Sequence, residues 1–149
     1  MKVLSVRQPW AFWIACGQKN IENRSWSTDY RGPTLIHAAK GMTEDEYLDA
    51  QLSLPHWFDL GACGRLIDLL PSFELINRGG VVAVAELSKV VASPSLPDHV
   101  LPWETTGGYA WHFQRIRQTP FVPWKGARGL WDAPAELLDM IVDRGGLDG

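Results

Sequence analysis

Two stretches near the N-terminus, residues 2–6 and 20–26, alternate between apolar and polar positions. Successive side chains of a strand point to opposite faces of a sheet, so this alternation predicts strands that are buried on one side. Residues 34–39 are almost wholly apolar and predict a buried strand. Residues 10–16 have helical spacing, with Gly17 as the expected end of the helix.

The rest of the chain predicts further short elements. Thr43 and Glu46 form a capping box that predicts a helix running to about Leu52. The turn-rich stretch after it, residues 53–79, contains one short helical pattern at 65–70. Strands are predicted at 81–91, 109–116, 122–125 and 129–131, and a last helix at 134–144.

Six or seven short strands with few helices are typical of a small barrel. We therefore expect an α+β fold, a mixed or mostly antiparallel β-barrel with helices capping its ends. A chain of 149 residues has the length of one domain. We interpret residues 1–149 as a single domain, in which residues 43–79 form a helical and irregular insertion outside the main sheet.

Charge is distributed unevenly along the chain. The net charge of −3 argues against a protein that coats nucleic acids non-specifically. Residues 1–40 nevertheless hold six cations against two acids, and residues 103–131 hold four against Glu104. The acidic stretch 43–77 separates them. If the two basic segments meet in space, they form a local positive face; the alternative is charge scattered over the surface.

Composition predicts a cytoplasmic protein without a cofactor. The longest apolar runs are strand-sized rather than membrane-spanning, and the N-terminus enters a strand pattern directly, without a secretory signal. Two distant cysteines fit a reducing compartment. The histidines and cysteines lack the spacing of a zinc site, so we expect no metal.

Three charged residues, Lys19, Glu22 and Arg24, follow the first predicted helix. Lys19 and Arg24 could contact phosphates, and Lys19 could also act as a nucleophile or base if burial lowers its pKa. Glu22 could be its partner or a general base. The alternative is an exposed lysine beside an ordinary Glu–Arg pair on one strand.

Further candidates lie elsewhere in the chain. His37 interrupts an apolar strand and is either a hydrogen-bonded core residue or a catalytic group. Glu86 follows small apolar residues on the strand 81–91, so it must be paired or functional. Four further cations are candidates for phosphate contacts: Arg31, Lys40, Lys125 and Arg128. Three aromatic side chains are candidates for stacking on a base: Trp10, Trp26 and Tyr30. Tyr30 is also a possible catalytic group.

Several of these motifs resemble the ASCH domain family. They are SVRQPWA at 5–11, Gly17-x-Lys19-x-x-Glu22-x-Arg24, Arg31-Gly32 followed by Ile36-His37-Ala38, Glu86 in its strand, GYAWH at 108–112 and KGARGLW at 125–131. The resemblance implies a PUA-like β-barrel whose cleft is associated with RNA or nucleotides. Small bacterial members include amidohydrolases acting on 4-acetylcytidine, and other members are described as ribonucleases. The lysine of the amidohydrolase pattern is matched by Lys19, whereas its threonine is replaced by Glu22.

Three hypotheses follow. The first is a module that binds RNA, single-stranded nucleic acid or a nucleoside through a basic, aromatic-lined cleft, with Glu22 reading a base edge. The second is a hydrolase of RNA or a modified nucleoside that uses Lys19 and Glu22, assisted by Tyr30, His37 or Glu86. The third is a protein-interaction module with an exposed tryptophan patch and an unknown partner. The first two require Lys19, Glu22 and Arg24 to share an opening with the loop around Lys125.

Overall fold

The computed structural model describes residues 1–53, 68–96, 101 and 103–147. Within them lie six strands and three helices longer than one turn. The strands are β1 (Lys2–Val6), β2 (Ile21–Arg24), β3 (Gly32–Ala38), β4 (Gly80–Ala92), β5 (Tyr109–Pro123) and β6 (Leu130–Asp132), and the helices are α1 (Trp10–Ala15), α2 (Glu44–Ser53) and α3 (Ala135–Asp143). Of the helix predicted at 65–70, residues 65–67 lie outside the described residues, and residues 68–69 are helical.

The six strands form one curled sheet in the order β2-β5-β4-β3-β1-β6. Strands β1 and β3 are parallel, and the other four neighbouring pairs are antiparallel. The sheet is therefore mixed and mostly antiparallel, and it curls into a half-barrel. This confirms the α+β class that the sequence predicted.

Strand β5 differs from its prediction. The sequence indicated two strands, at 109–116 and 122–125, but residues 109–123 form one continuous strand. Its register with β4 shifts at three places, and Arg115 within it has a φ of 51°. Such bulges bend a strand and increase its twist. The alternation of polar and apolar residues breaks at the bulges, which is why the pattern suggested two elements.

Two apolar clusters cover opposite faces of the sheet. Helix α1 places Ala11 and Ile14 against Leu4 and Ile36. Helix α3 places Leu137 and Ile141 against Val3 and Leu35, the adjacent positions on the same two strands. Because neighbouring strand residues face opposite sides, α1 and α3 lie on different faces.

Helix α2 begins as the sequence predicted. Thr43 Oγ1 accepts a hydrogen bond from the Glu46 amide at 3.1 Å. The Glu46 carboxylate does not complete the capping box; it pairs with Arg7, 2.6 Å away. The insertion thereby contacts the loop between β1 and α1. None of the helices in the described ranges is long and apolar enough to cross a membrane.

Candidate functional site

Two adjoining cavities open beside β1 and share Ser5 as a lining residue. We call the first the ring-lined cavity; it has a volume of about 370 Å³ and is lined by Ser5, Arg7, Trp10, Lys19, Glu22, Asn23, Arg24, Trp103 and Thr105. The second, the cationic cavity, has a volume of about 770 Å³ and is lined by Ser5, His37, Ala39, Lys40, Arg78, Gly79, Trp124, Lys125, Gly126 and Ala127.

Lys19 lies at the floor of the ring-lined cavity because the chain reverses at the end of α1. Gly17 has a φ of 79°, in the left-handed region that favours glycine, and the Lys19 amide then donates to the Trp13 carbonyl at 2.9 Å. The Lys19 side chain is only 3% exposed. Its ammonium donates to the Ile21 carbonyl and, at 3.0 Å, to Glu22 Oε1.

Glu22 is held between two cations. Its Oε1 accepts from Lys19 at 3.0 Å and its Oε2 lies 3.1 Å from the Arg24 guanidinium. Burial opposes ionisation of this carboxyl, but the charges of Lys19 and Arg24 outweigh it and hold its pKa below the ordinary value. Burial also lowers the pKa of Lys19, an effect that Glu22 offsets only in part. The carboxylate is thus ionised at neutral pH.

Arg24 joins this triad to the strand that carries Ser5. Its guanidinium donates to the Ser5 carbonyl as well as contacting Glu22. Ser5 lines both cavities at this point. The ion triad and the shared rim are therefore one connected unit.

Two tryptophans form walls of the ring-lined cavity. Trp10 and Trp103 meet edge to face, with centroids 6.2 Å apart. Asn23 fixes the loop that carries Trp103: its amide donates to the Trp103 carbonyl at 2.7 Å, and its oxygen accepts from the Thr105 amide at 2.9 Å. Trp103 is 2% exposed and has a φ of 70°, unusual for a bulky residue.

The cationic cavity has three cations around a buried histidine. Lys40, Arg78 and Lys125 line it, and none of the residues of the described ranges that line it is acidic. His37 is 1% exposed, and its two ring nitrogens lie 3.1 Å from Ser5 Oγ and 2.7 Å from the Trp124 carbonyl oxygen. Burial lowers the pKa of His37, so the ring is neutral near pH 7.

Seven of the predicted side chains line these cavities. Trp10, Lys19, Glu22 and Arg24 line the first, and His37, Lys40 and Lys125 line the second. Sequence reasoning missed Ser5, Asn23, Arg78 and Trp103 as cavity residues. Ser5 lies in the SVRQPWA motif, which could have marked it as a site residue. Arg78 and Trp103 belong to loops that are distant in the sequence, so no local pattern indicated them.

The remaining predicted site residues lie outside both cavities. Trp26 packs edge to face on Trp111, and the Tyr30 hydroxyl donates to the Pro33 carbonyl. Arg31 donates to the Thr28 and Tyr30 carbonyls, and Arg128 is exposed. Glu86 pairs with Arg115 at 3.2 Å, the ordinary ion pair that its position suggested. The predicted roles of these residues in binding or catalysis gain no geometric support.

The exposed tryptophan patch required by the protein-interaction hypothesis is not present among the described tryptophans. Each of those seven rings is buried or half-buried. The rings instead pack in the core or line the cavities, because they are among the largest apolar groups available to a small domain.

The described residues contain no group of three or more His, Cys, Asp or Glu placed to hold a metal ion. Three of the chain's histidines and cysteines lie outside the described residues: His56, Cys63 and His99.

The sequence profile of the ASCH domain matches residues 4–118. The chain therefore belongs to the ASCH domain family, a family generally linked to RNA binding. No curated protein sequence matches it.

Solved structures share the fold at low identity. The crystal structure of ASCH from Zymomonas mobilis is 12% identical, with 95% of this chain and 93% of that chain covered and a TM-score of 0.55. Its serine-to-alanine variant is also 12% identical, with 95% of this chain and 94% of that chain covered and a TM-score of 0.54. For its tyrosine-to-phenylalanine variant the identity is 12%, the coverages are 95% of this chain and 96% of that chain, and the TM-score is 0.56. At this identity the likeness shows a shared fold and nothing about activity.

Proposed function

We propose that this ASCH domain binds a nucleotide unit of single-stranded RNA, with the base in the ring-lined cavity and a phosphate in the cationic cavity. The observation that carries the proposal is that the two cavities adjoin at Ser5. A nucleotide likewise has two parts, a flat base and an anionic phosphate, and a ribose links them. One ligand of that chemistry would use both cavities.

The ring-lined cavity suits a base on chemical grounds. Indole rings stack on any base, and a fixed carboxylate accepts hydrogen bonds from amino or imino N–H groups at a base edge. Glu22 keeps acceptor lone pairs beyond those used by Lys19 and Arg24, because an ionised carboxylate has about four. Splayed-out, unstacked bases are the usual targets of sequence-specific RNA recognition.

The cationic cavity suits a phosphate. Lys40 and Lys125 are exposed at its rim, and Arg78 comes from the end of the insertion. Cations that neutralise phosphates release counterions, so such binding weakens as salt increases. This arrangement gives the acidic protein a local positive site, as the charge pattern of the sequence suggested.

A titration of labelled single-stranded RNA tests the proposal with two matched variants. Lys125 lines the cationic cavity and Arg128, three residues later in the same turn, does not. Lys125→Gln should weaken binding about tenfold. It should also reduce the slope of log affinity against log salt by about 0.7. Arg128→Gln should do neither. Equal effects of the two variants would contradict the assignment.

A second candidate, hydrolysis, is favoured by one observation. Lys19 is a buried amine with a lowered pKa, hydrogen-bonded to a carboxylate inside a ligand-sized cavity. Such a lysine could move a proton during cleavage of RNA or of an acylated nucleoside. Lys19→Arg keeps the charge but cannot lose its proton. An enzyme would bind yet stop turning over in this variant, whereas a binding module would show no product in either form.

A further inference from the structure

Ser5 and His37 face each other across the only parallel strand pair in the described sheet. They occupy paired positions on β1 and β3, and Ser5 Oγ lies 3.1 Å from His37 Nδ1. The other ring nitrogen, Nε2, lies 2.7 Å from the Trp124 carbonyl oxygen. Neither residue takes part in the binding roles proposed above, although Ser5 lines both cavities.

The hydrogen bonds define which nitrogen carries the proton. A carbonyl oxygen can only accept, so Nε2 must donate to Trp124 and therefore carries the hydrogen. In a neutral ring Nδ1 is then a lone-pair acceptor. The Ser5 hydroxyl consequently donates to Nδ1, and its oxygen lone pairs are directed away from the histidine. A serine that donates to an oriented, neutral histidine has the arrangement of an activated nucleophile.

Glycine at position 126 lets the turn at 125–127 pass close over this pair. A Cβ at that position would lie 2.7 Å from His37 Cε1 and 3.0 Å from Ser5 Oγ. Contacts under 3.0 Å to a buried ring require something to move. The turn at 125–127 can thus pass over the pair only because position 126 has no side chain.

We propose that Ser5 and His37 form a nucleophile–base pair that hydrolyses acyl esters at the junction of the two cavities. The Ser5 O–H bond breaks, its proton passes to His37 Nδ1, and Oγ bonds to the acyl carbon. Collapse expels the alcohol, which takes the proton from Nδ1. Water then attacks the acyl-serine, again losing a proton to Nδ1, and releases the acid while Ser5 regains its hydrogen.

The surroundings favour a slow reaction of this kind. The cations Lys40, Arg78 and Lys125 around the cavity favour negative charge developing on the acyl oxygen. The Trp124 carbonyl orients the ring, as the carboxylate of a catalytic triad does, but supplies no full negative charge to stabilise the imidazolium. We therefore expect turnover well below that of a complete triad.

A fluorophosphonate probe tests the pair without relying on RNA binding, since the probe carries neither a base nor a phosphodiester. Attack by Ser5 Oγ forms an O–P bond and expels fluoride, with the proton going to His37. Intact mass and peptide mapping should show one adduct, on Ser5. His37→Gln retains an amide donor for the Trp124 carbonyl and removes the base; it should slow labelling about 100-fold. Ser27→Ala, at an exposed serine outside both cavities, should change nothing.

A wild-type protein without an adduct on Ser5 would overturn the proposal, as would labelling that His37→Gln leaves unchanged. Gly126→Ala provides a second variant, because its methyl group would displace the pair; labelling should fall at least about tenfold with the far-ultraviolet circular dichroism unchanged. Hydrolysis of p-nitrophenyl acetate should follow the same order among the variants. Because none of these readouts uses RNA, their failure would leave the proposed RNA binding standing.

Discussion

The two cavities that meet at Ser5 are built by opposite means. In the ring-lined cavity the charged groups are buried and satisfy one another, as Lys19, Glu22 and Arg24 do. In the cationic cavity Lys40 and Lys125 are exposed on the rim. Removing one member of a buried network leaves a charge unpaired, whereas removing an exposed charge changes little in the free protein. The first cavity should therefore couple binding to stability, and the second should not.

The largest expected effect is on stability. Lys19→Met leaves Glu22 with Arg24 alone and the Ile21 carbonyl without its lysine donor. We expect the free energy of unfolding to fall by about 3 kcal/mol, measured by urea denaturation. Lys125→Met, the matched change in the cationic cavity, should cost less than about 0.5 kcal/mol. Similar losses in the two variants would end the contrast between the cavities.

The next effect is on affinity. Trp10→Ala removes one ring of the ring-lined cavity, where Trp10 is only half-buried. Stacking contributes about 1–3 kcal/mol per base, so RNA affinity should fall by roughly 5- to 150-fold. Trp26→Ala, at a ring that lies outside both cavities, is the comparison. Binding should be measured by anisotropy without denaturant, at a temperature at which each variant is folded, and a larger loss for Trp26→Ala would place the base elsewhere.

The two cavities should also differ in the pH range over which they lose stability. The pKa of His37 is lowered in the fold by burial, so its contribution is complete above the ordinary histidine pKa of about 6.5 and is lost as pH falls below it. The lowered pKa of Glu22 gives a contribution that is complete above about 4.3 and is lost below that value.

Thermal melts across pH separate these two contributions. His37→Gln should flatten the stability profile just below pH 6.5, and Glu22→Gln should flatten it only at more acidic pH. If His37→Gln left the slope of stability against pH unchanged in the range just below the histidine pKa, burial of neutral His37 would not be the source of that slope.

The smallest effect is expected far from both cavities. Glu86 pairs with Arg115 at 3.2 Å, and the Arg115 side chain is 80% exposed. Exposed ion pairs contribute about 0–1 kcal/mol. Glu86→Gln should therefore change stability by less than about 1 kcal/mol and leave RNA affinity unchanged. A loss of affinity would indicate that Glu86 contributes to binding.

Local spacing was enough to predict part of the site. Lys19, Glu22 and Arg24 lie within six residues of one another after a helix end, so any fold with that turn brings them together. The same reasoning failed for Trp26, Tyr30 and Arg31, which are equally near in sequence. Their side chains pack or bond within their own loop and strand, and polarity alone does not reveal the direction of a side chain.

The amino-acid pattern by itself determined the α+β class, five of the six strands, the start and type of the three helices, and the charged triad, because periodicity and end signals are local properties. Only the assembled fold brings Ser5 to His37 and lets Asn23 hold the loop of Trp103. It also places Arg78 and Lys125 in the lining of one cavity. These contacts join residues far apart in the chain. Their formation depends on sheet order and strand register, which follow from the collective packing of the core and not from any single segment.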